Sequence, residues 1–225
     1  MKKHTEQFIV LILASINLFL VLPALILSVG GSSFRFEIYQ ALASQFGKPK
    51  IIFLGDSITL GGEIWTFRIG RYNLNTWNYG YAGITTCQLR HAVEKLSKQR
   101  GTDYAFVMIG INDHDKTVDG AERSFSCYKE LLDILLDAEI TPIVQLTLYR
   151  ENETSPEYIT RLNALLTVYS KQNGLEVIDL NPVLAPKQSL LPKYSRDGVH
   201  INEAAYKLWS KRIKVILDSY GSRGA

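Results

Sequence analysis

The stretch IIFLGDS, residues 51–57, predicts the centre of the fold. Its four consecutive large apolar residues are followed by Gly55, and Pro49 lies just before them. A short apolar run between such residues is typical of a strand buried on both faces. Strands of that kind occur in parallel sheets, where helices cover both sides. We therefore expect residues 51–54 to form a buried strand of the sheet, with Ser57 just beyond its carboxyl end.

The same alternation of apolar runs and amphipathic stretches continues toward the C-terminus. Four more strands are expected, at residues 74–79, 104–109, 141–147 and 175–180. Helical spacing of apolar residues predicts helices at residues 85–100, 118–139, 155–173 and 203–219. Asn202 has the residue type and position of an N-cap for the last helix. Strand–helix alternation indicates an α/β domain with a parallel sheet, because right-handed crossovers place helices on both faces.

The N-terminal segment has a different composition. Residues 8–30 carry no charge and follow Lys2 and Lys3. As a helix this run would extend roughly 34 Å, enough to cross a bilayer. We expect residues 1–30 to be an uncleaved membrane anchor that leaves the N-terminus in the cytoplasm and exports the rest. A cleaved signal segment, giving a secreted protein, is the alternative, although the run is longer than a signal peptide needs.

Residues 31–48 are expected to connect this segment to the domain. Apolar residues recur at every fourth position from Phe34 to Phe46, which predicts an amphipathic helix. Such a helix would pack on the domain or lie on a membrane surface. The domain itself would span residues 49–220, with residues 221–225 as a short tail.

The composition and charge exclude several classes of protein. A content of 46% hydrophobic and 21% charged residues indicates a folded globular domain rather than a disordered chain. The net charge is only +3, and no basic stripe is interleaved with aromatic residues, so nucleic acid is not an expected partner. The chain has no Cys-x-x-Cys or His-rich spacing, and we expect neither a metal ion nor an organic cofactor.

The two cysteines, Cys87 and Cys127, leave two interpretations open. In an exported domain they can form one disulfide, although two cysteines do not make a disulfide framework. Both fall in predicted helices, and we expect them instead to be small apolar residues of the core.

Three loops that follow predicted strands carry glycines and polar residues. They read GDS at residues 55–57, NYGYAG at residues 78–83 and GIND at residues 110–113. Ligands of such sheets bind at the carboxyl ends of the strands, so we expect these loops to lie close together. A fourth block, DGVH at residues 197–200, lies just before the last helix. Each block taken alone also has the composition of an ordinary turn.

Together, the four blocks supply the parts of an acyl-transfer site. A serine hydroxyl such as that of Ser57 becomes nucleophilic when a base takes its proton, and His200 can be that base. Asp197 can bind the other ring nitrogen and stabilise the imidazolium. Backbone N–H groups of a glycine loop and the side-chain amide of Asn112 can stabilise a developing oxyanion.

With these blocks, residues from about 50 to 217 resemble the SGNH, or GDSL-type, hydrolases. The resemblance implies a flavodoxin-like three-layer α/β/α fold with five parallel strands in the order 2-1-3-4-5. It implies ester hydrolysis through an acyl-serine, with Ser57 as nucleophile, His200 as base and Asp197 orienting His200. The oxyanion hole would comprise the N–H groups of Ser57 and Gly83 and the Asn112 side chain. One departure is isoleucine at position 58, where the family's name-giving motif has leucine, but both are buried aliphatic residues.

The ester substrate is not identified by the sequence. Trp65, Phe67, Tyr149 and Arg150 lie in loops expected near the site, where aromatic side chains would line a pocket or belong to the core. A membrane-anchored, exported position favours lipid, cell-envelope or glycan esters. Two alternatives keep the same fold: an O-acyltransferase that passes the acyl group to a sugar hydroxyl, and an inactive membrane-anchored binding module.

Overall fold

The computed structural model describes residues 49–70, 76–96 and 101–221. The expected membrane anchor at residues 1–30 and the expected connector at residues 31–48 lie outside these described residues. Among the residues that are described, no helix combines the length and apolar character needed to cross a bilayer.

Five parallel strands form one sheet, as predicted. They are β1 (Ile51–Gly55), β2 (Thr76–Gly80), β3 (Tyr104–Met108), β4 (Thr141–Gln145) and β5 (Val177–Ile178). Their order is β2-β1-β3-β4-β5, which confirms the order expected from the resemblance. Gly55 pairs in register with Gly80 on one side and with Met108 on the other. The carboxyl ends of the three neighbouring strands β1, β2 and β3 are therefore level, and the loops that follow them start side by side.

The four long helices also lie where the sequence places them. Counted with the short helices, they are α3 (Thr86–Leu96), α4 (Val118–Asp137), α5 (Pro156–Gln172) and α7 (Glu203–Gly221). The side chain of Asn202 accepts hydrogen bonds from the N–H groups of Ala204 and Ala205, which confirms the predicted N-cap of α7.

Three further helices of one turn each were not predicted. They are α1 (Ser57–Leu60), α2 (Trp65–Arg68) and α6 (Asn181–Leu184), and a 3₁₀ turn covers Pro192–Tyr194. Elements of four residues are too short to show a helical repeat of apolar residues. Helix α1 depends instead on Asp56, whose carboxylate caps it by accepting the N–H of Ile58 at 2.9 Å.

Strands β4 and β5 are shortened the most relative to the prediction, and at the end of β4 backbone groups bind side chains instead of a neighbouring strand. The N–H of Thr147 donates to the side chain of Asn163, and the Thr147 carbonyl accepts from Asn163 and Asn181. These bonds take residue 147 out of the predicted strand at residues 141–147. Strand β5 keeps only two of the six predicted residues.

Helices cover both faces of the sheet and make it a three-layer α/β/α domain. Successive strand residues point to opposite faces. On one face, α3, α4 and α5 pack against Leu54 and Val107. On the other, α1, α2 and α7 pack against Phe53 and Phe106, whose rings stack with centroids 4.9 Å apart. Both faces of β1 are consequently buried, as its uninterrupted apolar run requires.

The interpretation of Cys87 and Cys127 as separate core residues was wrong, because they form a disulfide. Cys87 lies near the start of α3 and is exposed, and Cys127 lies in the middle of α4 and is only partly buried. Their Cα atoms are 5.0 Å apart because the two helices pack side by side. This pairing joins positions 40 residues apart, so it depends on helix packing rather than on local sequence.

Removing this disulfide is expected to lower the free energy of unfolding by about 2–4 kcal/mol, because a crosslink over 40 residues restricts the unfolded chain. The Cys87→Ala/Cys127→Ala variant and the wild-type protein would be unfolded in urea with and without reductant. We expect reductant to lower the midpoint of the wild-type protein only. Equal midpoints for oxidised wild type and variant would show that the disulfide does not stabilise the fold.

Candidate active site

Ser57 lies at the point where the chain leaves β1 and enters α1. Three contacts hold this turn in place. The hydroxyl of Tyr206, on α7, donates to the carbonyl of Ile58 at 2.7 Å. The side-chain amide of Asn78, in the middle of β2, donates to the carbonyls of Thr59 and Leu60, each at 3.1 Å. The backbone around Ser57 is therefore fixed by the neighbouring strand and by the last helix before any ligand binds.

Ser57, His200 and Asp197 form one continuous chain of hydrogen bonds. The distance from Ser57 Oγ to His200 Nε2 is 2.9 Å, and that from His200 Nδ1 to Asp197 Oδ2 is 2.8 Å. A neutral imidazole that donates its Nδ1–H to Asp197 leaves Nε2 to accept the proton of the serine hydroxyl. The structure thus brings together three residues that the sequence places up to 143 positions apart.

Two carboxyl groups lie near His200, and only one of them contacts the imidazole. Hydrogen bonds from the backbone N–H and the ring of His200 lower the pKa of Asp197 to about 2, so Asp197 is a carboxylate at any working pH. Burial raises the pKa of Asp56 to about 7, although the N–H of Ile58 and the nearby His200 act in the opposite direction. Asp56 caps α1, whereas Asp197 has both the charge and the position to orient the imidazole.

The two glycines of the NYGYAG loop, Gly80 and Gly83, have different environments in the structure. Gly80 is buried, and a Cβ atom there would lie 2.3 Å from the backbone nitrogen of Leu60, so it is needed for close packing against α1. Gly83 is exposed and has a φ of +74°, a conformation that favours glycine, and a Cβ atom would meet no neighbour there. Among the described residues, its N–H has no backbone or side-chain acceptor. Gly83, and not Gly80, therefore presents a free donor beside Ser57.

Asn112 contributes a second free donor from the loop after β3. Its side-chain amide donates one N–H to the carbonyl of Ile84 at 3.3 Å, which ties this loop to the one that contains Gly83. The adjacent Asp113 is buried and accepts the backbone N–H and the hydroxyl of Thr86, at 2.7 and 2.6 Å, and the hydroxyl of Tyr158 at 2.8 Å. Sequence reasoning did not identify this network, which holds the two loops together beneath the site.

These groups open into a shared cleft with a volume of about 510 Å³. Its walls are formed by Ser57, Ala82, Gly83, Asn112, Arg150, Asp197, Val199 and His200. Two of the aromatic residues considered as pocket walls belong to the hydrophobic core instead. Trp65 is buried and stacks on Phe53 at 4.3 Å, and Tyr149 is buried in the core on the opposite side of the sheet. Arg150 is thus the one member of that group that lines the cleft.

Curated proteins similar in sequence include N-acylneuraminate cytidylyltransferases of three Streptococcus agalactiae serotypes. The chain is 26% identical over 170 residues to an N-acylneuraminate cytidylyltransferase of Streptococcus agalactiae serotype V. That match covers 74% of this chain but only 38% of the relative, so the chain corresponds to a part of that protein.

Solved structures share the fold at lower identity. A GDSL-like lipase from Bacteroides thetaiotaomicron superposes with a TM-score of 0.68 at 19% identity, covering 82% of this chain and 98% of the other. A lipase/acylhydrolase from Enterococcus faecalis superposes with a TM-score of 0.59 at 21% identity, covering 76% and 96%.

A family model covers most of the domain, including all four blocks that carry the candidate site. It matches residues 53–208, from β1 to the second turn of α7. Because this match spans well over half of the 225 residues, the chain belongs to the GDSL-like lipase/acylhydrolase family.

Proposed function

We propose that this protein is a serine esterase that hydrolyses carboxylic esters through an acyl-serine intermediate. The observation that carries the proposal is the hydrogen-bonded chain from Ser57 through His200 to Asp197, which opens into a cleft with two free donors. Membership of an acylhydrolase family supports ester hydrolysis in general.

In the first half of the reaction, Ser57 Oγ attacks the ester carbonyl carbon while its proton passes to His200 Nε2. The carbonyl π-electrons move onto oxygen, and this oxyanion accepts hydrogen bonds from the N–H groups of Ser57 and Gly83 and from Asn112. The carbon–oxygen bond to the alcohol then breaks, and His200 donates its proton to the leaving oxygen. Asp197 stabilises the imidazolium in between without taking the proton.

In the second half, water replaces the alcohol. His200 takes a proton from the water as its oxygen attacks the acyl carbon, and the same donors hold the second oxyanion. When the bond to Ser57 Oγ breaks, His200 returns the proton to the serine. The carboxylic acid leaves, and the site regains its starting state with no net change in the protein.

Replacing Asn112 with alanine is expected to lower kcat by about 10²- to 10³-fold, with little change in KM, because the lost hydrogen bond strengthens as the oxyanion forms. The measurement is hydrolysis of p-nitrophenyl acetate by the full-length protein. Asn173→Ala, at the end of α5 and outside the cleft, is the matched control and should keep wild-type kcat. An Asn112→Ala variant with full kcat would remove this side chain from the proposed oxyanion hole.

Covalent labelling tests the esterase proposal against the two alternatives. A fluorophosphonate reacts with an activated serine, so we expect it to label Ser57, and an inactive binding module would remain unlabelled. Product analysis with an added acceptor alcohol then separates hydrolysis from transfer. Release of the free acid as the main product supports the esterase, whereas efficient formation of a new ester would identify an O-acyltransferase.

We also propose that the catalytic domain acts outside the cytoplasm. Two observations support this: the uncharged run at residues 8–30, which follows two lysines, and the disulfide between Cys87 and Cys127. Disulfides are rare in reducing compartments and persist in exported proteins. The exported domain would be periplasmic or extracellular, so the test is protease accessibility in spheroplasts, whose cytoplasmic membrane is intact. Complete protection until that membrane is lysed would contradict the proposal.

A further inference from the structure

Arg150 is a cationic side chain within the catalytic cleft that the reaction described above does not use. It lines the same cleft as Ser57 and Asn112. Its Nη2 atom donates to the carbonyl of Ile111 at 2.5 Å. Because Ile111 directly precedes Asn112, this bond holds the guanidinium beside the amide that is proposed to bind the oxyanion.

The positive charge of Arg150 is not neutralised by the described part of the protein. Other arginines form ion pairs: Arg68 with Glu203, Arg123 with Asp115 and Arg161 with Glu122. Among the described residues, no carboxylate forms an ion pair with Arg150. Glu153, in the same loop, uses its carboxylate to accept the backbone N–H groups of Arg150 and Ser155.

Lys116 adds a second positive charge at the same point. Its Nζ atom donates to the carbonyl of Ile111 at 2.7 Å, so two cations meet at one peptide group. Burial, together with the nearby Arg150, lowers the pKa of Lys116 to about 8, which leaves it largely protonated at neutral pH.

Two of the carboxyl groups near the cleft are already bound by other parts of the protein. Asp197 binds the N–H groups and the ring of His200, and Asp113 binds Thr86 and Tyr158. Arg150 therefore brings to the cleft wall guanidinium N–H groups that match the geometry of a carboxylate or a phosphate.

We infer that Arg150 is a specificity-determining residue, and that the preferred substrates are esters that carry a carboxylate or phosphate group next to the reacting carbonyl. The inference rests on the esterase function proposed above and narrows its substrate class. An anionic group in the cleft would replace the missing ion-pair partner of Arg150. A neutral ester of the same size would leave that charge unpaired.

Matched substrate pairs test the preference and show which part of the ester carries the anion. For the acyl part, p-nitrophenyl hemisuccinate is compared with p-nitrophenyl butyrate. For the alcohol part, a monoacetylated methyl glucuronide and a monoacetylated glucose 6-phosphate are each compared with the monoacetylated methyl glucoside. The quantity measured is the ratio of kcat/KM for the anionic ester to that for its neutral partner.

We expect this ratio to exceed about 10 in at least one pair, since hydrogen bonds to charged groups have that effect or more. Arg150→Gln should lower the ratio by at least about 10-fold, mainly through KM, and Arg150→Lys should recover part of it. Arg161→Gln removes an exposed charge outside the cleft and should keep the wild-type ratio. The ratio should also fall as salt is raised, because the cleft is open to solvent.

A different set of results would overturn the inference. If Arg150→Gln changes anionic and neutral esters by the same factor, Arg150 only fastens the loop at Ile111 and does not select substrates. A wild-type ratio near 1 in every pair would have the same meaning. Failure of the proposed esterase function gives a separate result, since the neutral esters would then show no hydrolysis that depends on Ser57.

Discussion

Replacing Ser57 with alanine is expected to lower kcat for ester hydrolysis by about 10⁴- to 10⁶-fold. The reason is that alanine has no atom that can attack the carbonyl carbon, so no acyl intermediate forms. Whatever rate remains would come from the oxyanion donors acting on bound water, which leaves enzymes of this type some 10³- to 10⁴-fold above the rate in water. The measurement is kcat with p-nitrophenyl acetate, together with loss of fluorophosphonate labelling.

The control for this variant is a serine that the site does not use. Ser126 is exposed on α4, and Ser126→Ala should keep wild-type activity and labelling. Thermal unfolding of both variants checks that the fold is retained. Undiminished hydrolysis by a folded Ser57→Ala variant would refute the proposed mechanism, and labelling that persists would point to a different nucleophile.

Replacing His200 with alanine is expected to lower kcat by a similar factor, about 10⁴- to 10⁶-fold, because no other group accepts the serine proton. The imidazole of His200 is hydrogen-bonded to Ser57 Oγ through Nε2 and to the Asp197 carboxylate through Nδ1. Without it, the hydroxyl must lose its proton to solvent hydroxide, so the residual rate should rise with pH.

The Ser57→Ala/His200→Ala double variant tests whether the two residues act as one unit. Since each single change already stops the same step, the double variant should be about as slow as either single variant, and the effects should not multiply. His91→Ala, which removes an exposed imidazole from α3, is the matched control. Multiplicative effects in the double variant would show that His200 acts on a step that does not involve Ser57.

Much of the fold follows from local patterns in the sequence. The apolar run at residues 51–54 has no polar position facing solvent, so both of its faces must be covered, and the structure places it inside the sheet, between β2 and β3. The long helices were predicted because their buried residues repeat at helical spacing over three turns or more. The one-turn helix α1 was missed because it depends on an aspartate cap and on contacts from Asn78 and Tyr206.

The residues of the candidate site could be predicted from the sequence, but the hydrogen bonds that hold its loops in place could not. Ser57, Gly83 and Asn112 follow adjacent strands, and parallel strands bring such positions to one edge. Asp113, in contrast, is of a residue type that is common in ordinary turns, so the sequence does not mark it as part of the site. Its bonds to Thr86 and Tyr158 join positions 27 and 45 residues apart, and no local pattern signals them.

By itself the sequence determined the strand–helix alternation, the order of the four blocks along the chain and the residue types needed for acyl transfer. These depend on hydrophobic periodicity and on chemical identity, which are local properties. The tertiary structure alone decided that Cys87 is bonded to Cys127, that Asp113 ties the two loops together beneath the site, and that Arg150 lines the site while Tyr149 is buried. Each of these outcomes depends on how closely distant segments approach one another, and that distance is set only when the helices and the sheet pack together.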